Sequence, residues 1–94
     1  MLDIEYTTQF KKDLKLAKRW QKSLKKIQDI MEKIANEEPL EKKLLDHPLT
    51  GEWREFRELH IEPDWLLIYE ITSNKKTVIF TRTGNVFKRK RKPF

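Results

Sequence analysis

From Phe10 to Ile34 the apolar residues of this chain return at steps of three and four: Phe10, Leu14, Ala17, Leu24, Ile27, Ile30 and Ile34. Such spacing gathers them on one face of an α-helix, with polar and charged residues on the other. After Trp53 the pattern changes to short runs rich in aromatic and branched residues, each closed by turn formers. A chain written this way lays a helical layer against a sheet. One helix covering the whole stripe would be long for a chain of 94 residues, so the pattern predicts a helix hairpin that breaks near residues 20–23.

Leu2, Ile4 and Tyr6 alternate with Asp3 and Glu5, which predicts a first strand with one buried face, and Thr7 or Thr8 can cap the helix after it. The second helix should end at residues 36–39. A polar connection over 40–52, with Pro48 and Gly51, should follow. Residues 53–61, 65–72 and 77–83 read as three strands, joined by the turns Glu62-Pro63-Asp64 and Ser73-Asn74-Lys75-Lys76. The expected fold is α+β in the order β-αα-βββ, an antiparallel sheet packed against a helix hairpin. Residues 1–87 should form one domain and 88–94 a basic tail.

The chain has no cysteine, so disulfides, thiol catalysis and Cys-based zinc sites are excluded. No apolar run approaches a membrane span and no signal-peptide layout opens the chain, so the cytoplasm is the expected compartment and no membrane partner is expected. The net charge of +6 is mostly the run Lys88-Arg89-Lys90-Arg91-Lys92; residues 1–87 hold sixteen basic against fifteen acidic residues. Even so, eight basic residues fall between Phe10 and Lys26 against one acid, Asp13. A basic flank and a basic tail attract a polyanion by phosphate contact and counterion release.

Only two histidines exist, His47 before the sheet and His60 near the end of the second strand, four residues ahead of Asp64. Arg82 ends the last predicted strand and can return to the same turn. RNA cleavage without a metal needs a base for the 2′-OH, a cation for the charge on phosphorus and an acid for the leaving 5′-oxygen. Two histidines and an arginine can supply that kit, because imidazole titrates nearest neutrality and guanidinium matches phosphate oxygens. The same residues also suit plain structural work: Asp64 as a turn residue, Arg82 paired with Glu58 or Glu70, Trp53 and Trp65 as core. No HExxH and no clustered carboxylates favour metal hydrolysis, and with Gly51 and Gly84 the only glycines there is no phosphate-cradling loop.

The stretches Asp46-His47-Pro48-Leu49-Thr50-Gly51-Glu52-Trp53, Arg57-Glu58-Leu59-His60-Ile61-Glu62-Pro63-Asp64-Trp65-Leu66-Leu67-Ile68-Tyr69 and Thr81-Arg82-Thr83-Gly84 resemble the YafQ-type branch of the RelE toxin superfamily. The resemblance implies a toxin of a type II toxin–antitoxin pair, an endoribonuclease that cuts mRNA in the ribosomal A site without metal or other cofactor. It implies catalytic or RNA-contacting positions for His47, His60, Asp64 and Arg82, with Trp65 beside them. Its partners would be a cognate acidic antitoxin, the ribosome and mRNA, with operator DNA reached only through the antitoxin. Val86 stands where that branch leads one to expect a His, and Val moves no proton. Another group then supplies the acid, or the protein binds RNA, ribosome or antitoxin and cleaves poorly. Lys88 or Arg89 can add charge stabilisation, and Lys88, Arg89, Lys90 and Arg91 are the tail's RNA-binding candidates.

Five clustered cations do not desolvate into a core, so the tail is expected to add non-specific affinity for RNA. Removing residues 88–94 should reduce the slope of log affinity against log salt by up to about four, at roughly 0.7–0.9 per neutralised phosphate. A salt titration of RNA binding checks this: an unchanged slope means the tail never touches RNA.

Overall fold

A computed structural model describes residues 1–85; Val86 and the basic tail lie outside the described residues. The elements are β1 (Asp3–Tyr6), α1 (Thr8–Arg19), α2 (Leu24–Ala35), β2 (His47–Pro48), β3 (Phe56–Glu62), β4 (Trp65–Ile71) and β5 (Thr77–Asn85), with single 3-10 turns at Lys42–Leu44 and Gly51–Trp53. The expected helix hairpin on a sheet is present. Thr7 caps α1, its hydroxyl accepting from the Phe10 N–H, and Ser23 does the same for α2 from Lys26. Between the helices Gln21 takes φ 61°, the left-handed turn that reverses the chain where no glycine marks it.

The sheet order is β1-β5-β4-β3-β2, and it is mixed. The antiparallel meander β3-β4-β5 matches expectation, but β1 runs parallel to β5, with Tyr6 opposite Phe80. Alternation shows that residues 2–6 form a strand and carries no information about its neighbour. The connection over 40–52 also holds more than a loop. His47 and Pro48 pair with Glu58 and Arg57 as a two-residue strand, too short to show a period. The strand expected from residue 53 begins at Phe56, after the 3-10 turn that holds Trp53.

Both helices cover one face of the sheet. The core there joins Phe10, Ile27, Ile30, Met31 and Ile34 to Leu59, Ile61, Trp65, Leu67, Tyr69, Val78 and Phe80. Phe80 is its hub: its ring lies 5.9 Å from Phe10, 6.1 Å from Tyr6 and 6.3 Å from Tyr69. Two β-bulges interrupt the ladder. Thr81 is the extra residue between the Arg82–Ile68 and Phe80–Tyr69 pairs, and Ile61 the extra one between His60–Leu66 and Glu62–Trp65. Each bulge sits directly beside a residue the sequence marks for chemistry.

Replacing Phe80 by Ala empties a fully buried site that touches three other rings. It should cost about 3–5 kcal/mol, read as a lowered midpoint in urea unfolding. A loss under about 1 kcal/mol would show that this contact is not the hub of the core.

Candidate active site

Register fixes which side chains share a face, because directly paired residues in an antiparallel ladder project to the same side. His47 pairs with Glu58, Glu58 with Ile68, and Ile68 with Arg82, so these four form one row across β2, β3, β4 and β5. His60, Leu66 and Gly84 form the next row on the same face. That face is the one turned away from the helices. Leu66 and Ile68 make its apolar centre, with His47, Glu58, His60 and Arg82 around them.

His47 is fixed from two sides. Its Nδ1 bonds the Leu45 carbonyl, and its Nε2 lies 3.5 Å from Glu58 Oε1. A carbonyl only accepts, so Nδ1 carries the proton and Nε2 faces the carboxylate. Glu58 is only 3% exposed. His60 follows the same rule: Nδ1 donates to the Pro63 carbonyl at 3.2 Å, which leaves Nε2 of the neutral ring as an acceptor. His60 also stands in the wall of a groove of about 860 Å³ between α2, the 42–44 turn and the β3–β4 turn, floored by Ile30, Leu44 and Ile61.

Asp64 lies in the β3–β4 turn, with its side chain 65% exposed and 3.9 Å from Lys22 Nζ. Lys22 also reaches Glu62 at 3.6 Å and sits 5.7 Å over the Trp65 ring. Trp65, expected beside the RNA, is 1% exposed and belongs to the core. Its ring offers no face on which a base could stack, because strand alternation turns it toward the helices. Arg82 stands three residues in from the β3–β4 turn, level with Ile68, and so lies in mid-sheet. It pairs with neither Glu58 nor Glu70. Its Nε donates to Asp13 Oδ2 at 2.7 Å and its Nη2 to Oδ1 at 3.4 Å. Lys88, Arg89, Lys90 and Arg91 lie outside the described residues.

Three side chains at the site were not expected from sequence in these positions. Glu58 was legible in principle, as an acid inside a strand whose neighbours Leu59 and Ile61 are apolar. Asp13 was visible as the single acid among eight bases. Lys22 had no signal of its own. Among the described residues no group of three or more His, Asp or Glu is placed to hold a metal ion.

A bracket anchors the segment that carries His47. Asp46 accepts from Arg57 Nη2 at 3.0 Å and Nε at 3.2 Å, and from the Tyr69 hydroxyl at 2.7 Å. Burial, and then the Asp46 carboxylate, push ionisation of Tyr69 well above the usual tyrosine range, so its hydroxyl remains a donor. Burial alone would lower Arg57, but the hydrogen bond and charge of Asp46 outweigh it and hold the guanidinium more firmly protonated. Replacing Asp46 by Ala strands both donors and should cost about 2–4 kcal/mol, whereas Tyr69→Phe should cost about 1 kcal/mol. Urea unfolding of both variants checks the order: equal losses would mean that Asp46 is not the shared acceptor.

Residues 2–86 match the family model described as the bacterial toxin of type II toxin–antitoxin systems, YafQ. The chain is 45% identical over 83 residues to the mRNA interferase toxin YafQ of Escherichia coli strain K12, covering 87% of this chain and 88% of that one. Its fold is similar to the crystal structure of the E. coli DinJ–YafQ toxin–antitoxin complex, with a TM-score of 0.84 at 42% identity over 93% of this chain and 94% of that one. It is also similar to a metal-bound toxin from Helicobacter pylori, with a TM-score of 0.87 at 39% identity over 94% of this chain and 98% of that one.

Proposed function

From the premise that the chain belongs to the YafQ family of type II toxins, we propose that it is an endoribonuclease that cuts mRNA by metal-independent acid–base chemistry, in the ribosomal A site. The observation that carries this reading is the gathering of His47, Glu58, His60 and Arg82 on one sheet face, around an apolar centre. Two imidazoles and a guanidinium thus share that face.

In this reading Nε2 of His60 takes the 2′-OH proton, and O2′ attacks the adjacent phosphorus. Arg82 balances the added negative charge on the phosphoryl oxygens. As the P–O5′ bond breaks, the leaving oxygen takes a proton, and the protonated form of His47 is the group to deliver it, from the Nε2 that faces Glu58 Oε1 at 3.5 Å. The products are a 2′,3′-cyclic phosphate and a 5′-hydroxyl. Asp64, in the β3–β4 turn, shares the base role, while the Pro63 carbonyl orients His60. With His47 as acid the scheme closes without a His at position 86. Trp65 serves as the packed base beneath the turn, and the 88–94 tail adds RNA affinity as a separate appendage to the 1–87 domain.

The partners that follow are the ribosome, mRNA and an acidic antitoxin encoded alongside, which would order on the basic helices. A cytoplasmic setting goes with them. Val86 favours one second reading, a protein of the same fold that binds RNA or antitoxin and has lost cleavage.

A single-turnover assay with mRNA on purified ribosomes separates the two. The wild-type protein should leave 2′,3′-cyclic phosphate ends, and His60→Ala should cut more slowly by about a hundredfold or more while keeping its circular dichroism. No cleavage by the wild type overturns the nuclease reading, and undiminished cleavage by His60→Ala overturns the role of His60.

A further inference from the structure

Asp13 is a buried carboxylate that the proposed chemistry does not use. It stands on α1 against the margin of β5, 8% exposed, and all four of its lone-pair positions are taken. Oδ1 accepts from Gln9 Nε2 at 3.0 Å and from Arg82 Nη2 at 3.4 Å. Oδ2 accepts from Arg82 Nε at 2.7 Å and from the Thr83 N–H at 3.1 Å.

The sheet explains why an acid sits there. β1 ends at Tyr6, opposite Phe80, so on that side, among the described residues, β5 has no strand neighbour along residues 81–85, while β4 pairs with its other side. Thr7 covers the first part of that edge: its N–H donates to the Phe80 carbonyl and its hydroxyl to the Thr81 carbonyl at 2.8 Å. Asp13 covers the next part by accepting from Thr83. The same carboxylate then takes the Nε edge of Arg82. A guanidinium has five N–H donors in a rigid plane. Two are committed to Asp13. The three that remain include the Nη1–Nη2 edge, whose paired N–H groups match two phosphoryl oxygens.

We propose that Asp13 is a positioning residue for Arg82, clamping one edge of its guanidinium so that the opposite edge stands fixed toward an RNA phosphate on the sheet face. This rests on the endonuclease reading for its catalytic consequence. The clamp itself is a property of the fold. A free arginine side chain samples many rotamers and loses that freedom when it grips a phosphate; a clamped one has already lost it. Misplacement of a charge-stabilising group by about 1 Å costs up to roughly a hundredfold in rate.

The test is a double-mutant cycle under single-turnover conditions, with ribosome-bound mRNA at saturation. Asp13→Ala should slow cleavage by about ten- to a hundredfold, and Asp13→Asn, which keeps an acceptor oxygen, by less. Adding Asp13→Ala to Arg82→Ala should change the rate by no more than about twofold, because residues acting through one another are not additive. A merely structural Asp13 predicts the opposite pattern: thermal unfolding shifted, cleavage per folded molecule unchanged, or losses that multiply with those of Arg82→Ala. Either result overturns the proposal.

A binding arm keeps the two readings apart. RNA with a 2′-deoxy group at the cut site is titrated into 15N-labelled protein, and the Arg82 Nε–H resonance is followed. The wild type should show a slowly exchanging Arg82 Nε–H that shifts on RNA binding, and Asp13→Ala should lose the protection and bind more weakly. If the wild type never cleaves, the nuclease reading falls while this arm still decides the clamp. An Arg82 resonance and an affinity unchanged in Asp13→Ala would refute it.

Discussion

The ring of Phe80 meets Tyr6, Phe10 and Tyr69, and at that point β1, α1 and β4 are all fastened to β5. Buried aromatic pairs of this kind contribute area and a preferred geometry together. Everything on the far side of the sheet inherits its position from this junction. The next residue, Thr81, is the bulge that re-aims the strand, and Arg82 follows it onto the opposite face. The contact that holds β5 in the core and the residue that carries charge at the site are two positions apart.

The site is therefore built on a rigid sheet and steadied from its margins. Thr7 and Asp13 secure the β5 margin, while Asp46, Arg57 and Tyr69 secure the segment before β2. Lys22 reaches from the helix hairpin to Glu62 and Asp64 and so ties down the β3–β4 turn. These last contacts are exposed enough to contribute little to stability, and their effect is geometric. Polar groups placed around an apolar centre on a stiff support suit a reaction in which positions matter within a fraction of an ångström.

Most of the architecture was legible in the sequence because burial imposes a period on it. The stripe from Phe10 to Ile34 gave two helices, and the runs after residue 53 gave three antiparallel strands. What escaped has no period to read. His47-Pro48 is a strand of two residues, and the parallel partner of β1 lies at the other end of the chain. At the site, the histidines, Asp64 and Arg82 stood out by type and motif. The pairing of His47 with Glu58 and of Arg82 with Asp13 depends on register and on a helix crossing a strand margin, which no local pattern records. Trp65 shows the reverse: the motif drew it to the RNA, while strand alternation puts its ring in the core.

The hydrogen bond from Thr7 to Thr81 spans 74 residues, and the sheet closes only when those two ends meet. Chains are made from the N-terminus, so β1 is made before β5 and waits for a neighbour that follows it by some 74 residues. Long-range closure of this sort makes folding late as well as slow. A chain stalled before β5 carries both histidines but neither Arg82 nor the strand margin that Asp13 covers. That topology is a form of timing: Arg82 and the strand margin that holds it arrive together, after both histidines have already been made.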